Sequence, residues 1–95
     1  MRFDFSKVLL TQDDSNYTEF GKDVTYAQAL KSGVLGLDAK TGQEKATNFD
    51  LYLKLKSATE TTDFSLSEVA LLDKAIEGLP TLFYGQLHYF LTNNN

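Results

Sequence analysis

The stretch from Phe64 to Leu91 constrains the fold most, because helix-start and helix-stop signals follow one another there in close order. Ser65 and Glu68 have the spacing of a capping box. In that motif the hydroxyl accepts from a backbone N–H of the first turn, and the carboxylate accepts from the cap residue's own N–H. Phe64 and Val69 flank the box as a hydrophobic staple would. Val69, Leu72 and Ile76 then recur at helical spacing. Gly78 is positioned for the left-handed residue after a helix, and Pro80 cannot extend the first helix but suits the first turn of another. The pattern predicts a helical hairpin, with helices over about 66–77 and 80–92.

The rest of the chain must pack on that hairpin. With 95 residues, 42% of them hydrophobic and 13% aromatic, there is material for one core and one domain, 1–95. Phe3 and Phe5 alternate with polar neighbours ahead of Val8-Leu9-Leu10, the turn formers Gln12 to Asn16 follow, and Tyr17 to Phe20 is again β-favouring before Gly21. This reads as an antiparallel hairpin over about 2–21. A lone hairpin is marginal in water, so it has to lie on helices. Thr25 and Gln28 form a second capping box, opening a helix over about 25–34 on the apolar face of Tyr26, Ala29, Leu30 and Val34, with Gly33 and Gly36 loosening its end.

A third box, Thr41 to Glu44, opens the segment 42–57, whose core is ambiguous. Asp50 to Lys56 alternates with strand period, while Ala46, Phe49 and Leu53, and Leu51 and Leu55, have helical spacing. The upstream cap, the helix-favouring Leu, Lys and Ala, and an Asp50–Lys54 pair favour helix, with strand as the alternative. Ser57 to Asp63 is a loop, and Asn93-Asn94-Asn95 a polar, fraying tail. The predicted fold class is α+β, an N-terminal β-hairpin packed on about four short α-helices.

Composition narrows the function classes. Cysteine is absent, so neither disulfides nor thiolate metal sites can form. Neither an apolar signal-peptide run after Met1 nor a membrane-length apolar stretch is present, and the expectation is a soluble protein of the cytoplasm. A formal charge of −4 with dispersed lysines argues against direct binding to nucleic acid, since Lys54 and Lys56 would stand about 200° apart on a helix.

Chemistry-bearing patterns each have a plainer structural reading. His88 is the only histidine, with only Tyr84 and Thr92 one turn away in its helix; a structural role is expected, and a second imidazole for a metal is lacking. Asp14 to Thr25 fails the register of a calcium loop, because Glu19 falls where glycine is needed and Thr25 where a bidentate Glu is needed. The glycines match no phosphate-binding fingerprint, and Asp13 and Asp14 lie in a turn rather than a cleft. No catalytic, cofactor or metal residue is therefore predicted. The last helix carries no formal charge and offers Tyr84, His88 and Tyr89 opposite its apolar face, which nominates those three as a protein interface.

One resemblance runs along most of the chain. The opening Arg2-Phe3-Asp4-Phe5, the segment Gly21 to Leu30, the central Glu44-Lys45, Phe49, Leu51 and Lys54, the run Leu66 to Leu72, and the closing Leu82, Gln86, Leu87 and Leu91 together resemble small accessory proteins of tailed bacteriophages. Leu79 to Tyr84 is more aromatic than that pattern. The resemblance implies a phage protein working in the host bacterial cytoplasm and carries no catalytic residues. The functional expectation is a non-enzymatic protein-binding protein, with itself among the candidate partners. One alternative is a virion assembly or structural component forming a homo-oligomer. Another is an acidic phosphate mimic that inhibits a host nucleic-acid-binding or defence protein.

Overall fold

A computed structural model describes residues 2–93; the expectation for Asn94 and Asn95 lies outside the described residues. The fold is α+β. Strands β1 (Thr18–Glu19) and β2 (Lys22–Asp23) form an antiparallel hairpin, followed by helices α1 (Tyr26–Leu35), α2 (Gly42–Lys56), α3 (Leu66–Ala75) and α4 (Thr81–Asn93). The ambiguous segment around Tyr52 is helical within α2.

The hairpin is displaced from the span read in the sequence. Its turn is Phe20-Gly21, with φ of 54° and 78°, so Gly21 makes the corner instead of ending a strand. Positive φ at both central residues is what a two-residue hairpin turn requires, and glycine meets it without steric cost. The earlier turn also exists, closed by Thr11 N–H to the Ser15 carbonyl at 2.8 Å, but it supports only an isolated Leu10–Asn16 bridge. Residues 8–10 are committed elsewhere. Leu9 N–H donates to Val24 at 2.9 Å, Val24 N–H to Tyr17 at 3.0 Å, and Tyr17 N–H to Leu9 at 2.8 Å. These bonds close a ring of three extended segments, which satisfies backbone groups that a short hairpin leaves open.

Gln86 on α4 completes this pairing from outside. Its side-chain oxygen accepts from Leu10 N–H at 2.8 Å while its amide nitrogen donates to the Leu10 carbonyl at 2.8 Å. The primary amide thus replaces a neighbouring strand. Gln86→Leu should leave both Leu10 groups unpaired at a part-buried position and lower stability by about 2 kcal/mol. Equilibrium urea unfolding checks this, and an unchanged midpoint would remove the strand-substitute role.

The helix ends show how local signals act. Thr25 and Ser65 form complete capping boxes. Thr41 accepts from Glu44 N–H, but the Glu44 carboxylate takes the Lys40 N–H instead of the cap's own, so the third box is only half formed. Gly78 is not left-handed: α3 ends at Ala75, and the Ile76 N–H approaches the Asp73 and Lys74 carbonyls, closing the end as a tight turn. Gly33 does not loosen α1 but lies inside it, where a Cβ would sit 2.7 Å from the Ala75 carbonyl oxygen. It permits α1 to cross the end of α3 at backbone contact.

The core combines apolar faces of every helix with the N-terminal segment. Leu30, Leu72, Ile76 and Leu87 are fully buried, with Phe3, Phe5 and Phe64 beside them. Phe3 and Phe5 meet Phe64 and Phe90 at centroid distances of 5.3–6.1 Å. In α2 only Leu51 and Leu55 are buried; Phe49 and Leu53 face outward, so the two apolar rows read in the sequence part company.

Lys54 bonds Glu68 at 2.8 and 3.1 Å and stands 4.6 Å from the Phe64 ring centre, which replaces the expected Asp50–Lys54 pair. Glu68 also accepts from Ser65 N–H at 2.9 Å, so one carboxylate caps α3 and ties it to α2. Desolvation is the largest influence on this carboxyl and raises its pKa, but the bonds from Lys54 and Ser65 together outweigh it and hold the pKa below the ordinary value. A depressed carboxylate contributes stability above its unfolded pKa and loses it as pH falls through the folded value. Wild type should therefore lose more stability than Glu68→Gln on acidification below about pH 4.5, by under about 1 kcal/mol given partial exposure. Parallel acid titration curves for the two proteins would contradict the coupling.

Candidate functional site

The last helix presents the three nominated residues differently. Tyr84 and His88, one turn apart, are partly buried and stack face to face, with centroids 5.2 Å apart and planes within 13°. Tyr89 is 66% exposed, and its ring meets His88 edge-on at 6.2 Å. The three therefore form a continuous ring surface graded from half-buried to open.

A residue missed in the sequence organises this surface. Asp73 of α3 reaches across the helical hairpin, and its Oδ1 lies 2.7 Å from His88 Nδ1. The contact crosses elements, so intrahelical spacing could not reveal it. The Tyr84 hydroxyl is 3.4 Å from the same nitrogen. Parallel stacked rings cannot aim an O–H along the in-plane lone pair, so Asp73 is the hydrogen-bond partner and Tyr84 the stacking partner. The carboxylate assigns the proton to Nδ1 and leaves Nε2 as an acceptor in the neutral ring.

A paired carboxylate and imidazole invite comparison with a general base. Such a base needs its free nitrogen against a nucleophile or substrate proton at about 3 Å. Among the described residues no hydroxyl is hydrogen-bonded to Nε2, and both Asp73 and His88 side chains are about one third exposed. The arrangement orients an aromatic acceptor at a surface. Among the described residues no three His, Cys, Asp or Glu side chains could together hold a metal ion. None of the described helices is long and apolar enough to cross a membrane.

A cleft of about 640 Å³ lies elsewhere, between α2 and α3, lined by Leu37, Thr41, Glu44, Asn48, Leu71 and Lys74. A smaller groove of about 140 Å³ has walls from Leu35, Leu37, Ala39, Lys45 and Phe49. Comparison with protein-family models, curated proteins and solved structures finds no match. Large side chains open to solvent include Leu66, Leu82 and Tyr89, Phe49 and Leu53, and above all Phe20, which is 103% exposed. Phe49 and Leu53 fell within a helical apolar pattern, and only packing reveals which of its two rows faces the core.

Proposed function

We propose that the chain is a non-catalytic protein-binding domain whose contact surface is the outer side of α4, with Tyr89 as anchor and Tyr84 and His88 as its shoulder. The carrying observation is the exposed Tyr89 beside a prestacked Tyr84–His88 pair, on a helix without formal charge. Rings already held in place lose little side-chain freedom on binding, which favours recognition. Tyrosine adds apolar area with a polar tip, and Nε2 of His88 supplies an acceptor for a partner N–H or O–H. The resemblance to small tailed-phage proteins extends the proposal to an accessory factor acting in a bacterial cytoplasm.

Two measurements test it. Light scattering after size exclusion at low protein concentration should show self-association through α4 reduced by Tyr84→Ala/Tyr89→Ala, with circular dichroism confirming that the variant folds. A photo-crosslinking residue at position 89, used in bacterial lysate, should give a discrete protein adduct that the same residue at Glu77 does not. A monomer that yields no adduct at position 89 would refute the α4 surface.

A further inference from the structure

The hairpin carries a residue that its own fold does not use. Phe20 is fully exposed and left-handed at φ 54°, a conformation that a bulky side chain adopts at steric cost and that asparagine or glycine would adopt more easily. A large apolar ring in a strained position, contributing nothing to the core, is the kind of outlier from which a contact function is inferred. Acidic residues surround it in sequence: Glu19 and Asp23 belong to the same hairpin, Asp13 and Asp14 to the preceding turn, and Lys22 alone opposes them.

The groove between the end of α1 and α2 has apolar walls from Leu35, Leu37, Ala39 and Phe49, with Lys45 also lining it. Leu35 and Phe49 are themselves 60% and 51% exposed. Its volume of about 140 Å³ is close to the roughly 150 Å³ of a cavity that accepts benzene. Lys45 is the charged side chain in its lining, which includes no carboxylate among the described residues. Knob and groove thus differ in charge sign as well as in shape.

We infer that Phe20 of one copy seats in the α1–α2 groove of a second copy, with Glu19 and Asp23 toward Lys45, as a head-to-tail contact. The ring touches nothing in its own chain, so the two halves mate only between copies. A contact between two different patches does not close on itself as a two-fold dimer does, and it propagates into rings or filaments. One anchor and a small groove place it at the weak end of protein interfaces, so association emerges at high protein concentration. The inference is independent of the α4 surface.

Sedimentation velocity on the full chain, at concentrations up to on the order of 1 mM, tests it. Wild type should grow beyond a dimer as concentration rises. Phe20→Asn, which suits the left-handed turn, and Phe49→Gln, which keeps a good helix former, should each weaken association about 30-fold or more while retaining native circular dichroism. An equimolar mixture of the two variants should form a one-to-one dimer that grows no further, because one intact knob and one intact groove remain. Tyr84→Ala/Tyr89→Ala should keep the growth beyond a dimer at high concentration, because knob and groove are both intact in it. A wild-type monomer throughout the range, assembly that survives Phe20→Asn, or a mixture that stays monomeric would each overturn the contact.

Discussion

Phe3→Ala is expected to destabilise the domain by about 3–5 kcal/mol, the usual range for emptying a buried phenylalanine site. Phe3 is 2% exposed and meets Phe5, Phe64 and Phe90 at 5.5, 6.1 and 5.3 Å. Three rings would lose a common neighbour. Their other anchors, on α4 and on the cap of α3, keep them from collapsing into the space. Since small domains are stable by only about 5–15 kcal/mol, much of the folded population should be lost. Thermal unfolding should show the midpoint lowered by more than about 12 °C at the usual conversion for this size. Phe3→Leu, which retains most of the apolar volume, should recover over half of the loss. An alanine variant that melts like wild type would show that the N-terminal segment is not part of the core.

Gly33→Leu is expected to prevent cooperative folding, and Gly33→Ala to destabilise despite the better helix propensity of alanine. The two effects oppose each other in the alanine case. Replacing glycine inside a helix gains about 1 kcal/mol. The added Cβ, however, would lie 2.7 Å from the Ala75 oxygen and 3.2 Å from its carbonyl carbon. Both are backbone atoms, so relief requires α1 and α3 to separate, at an overpacking cost of typically 1–3 kcal/mol. Separation would also loosen Leu30, Val34, Leu72 and Ile76, which are buried on the same two helices. The clash therefore outweighs the propensity gain, with a net loss of up to about 2 kcal/mol for alanine. Urea denaturation of both variants would decide it, and an alanine protein more stable than wild type would mean that the crossing is looser than its geometry.

Most of the architecture was legible because its signals are local. Ser65 with Glu68 and Thr25 with Gln28 announce helix starts through groups only three residues apart, and both complete their boxes. Features that depend on distant segments were not. Gly33 looked like a break because its close neighbour, Ala75, belongs to another helix. Lys54 chose Glu68 over Asp50 because tertiary packing brought a better-placed carboxylate, one already bonded to Ser65. The hairpin slipped along the chain because Leu9 found Val24 as a hydrogen-bond partner, and turn residues alone do not reveal such pairings. The uncharged character of their helix nominates Tyr84, His88 and Tyr89 as contact residues, whereas Asp73, which orients the imidazole, is visible only across the helical hairpin.

The Gln86–Leu10 clasp also bears on the order in which the chain is made. Leu10 leaves the ribosome long before Gln86, as Phe3 does before Phe90, so the earliest segment emerges without the partners that complete it. Contacts of such high sequence separation form late, after loop closure has become affordable. Until α4 has been synthesised, the nascent chain presents Phe3, Phe5 and Leu9 to whatever lies near the tunnel exit. Translation speed across the codons of the last helix should therefore influence how much of this protein reaches its folded state.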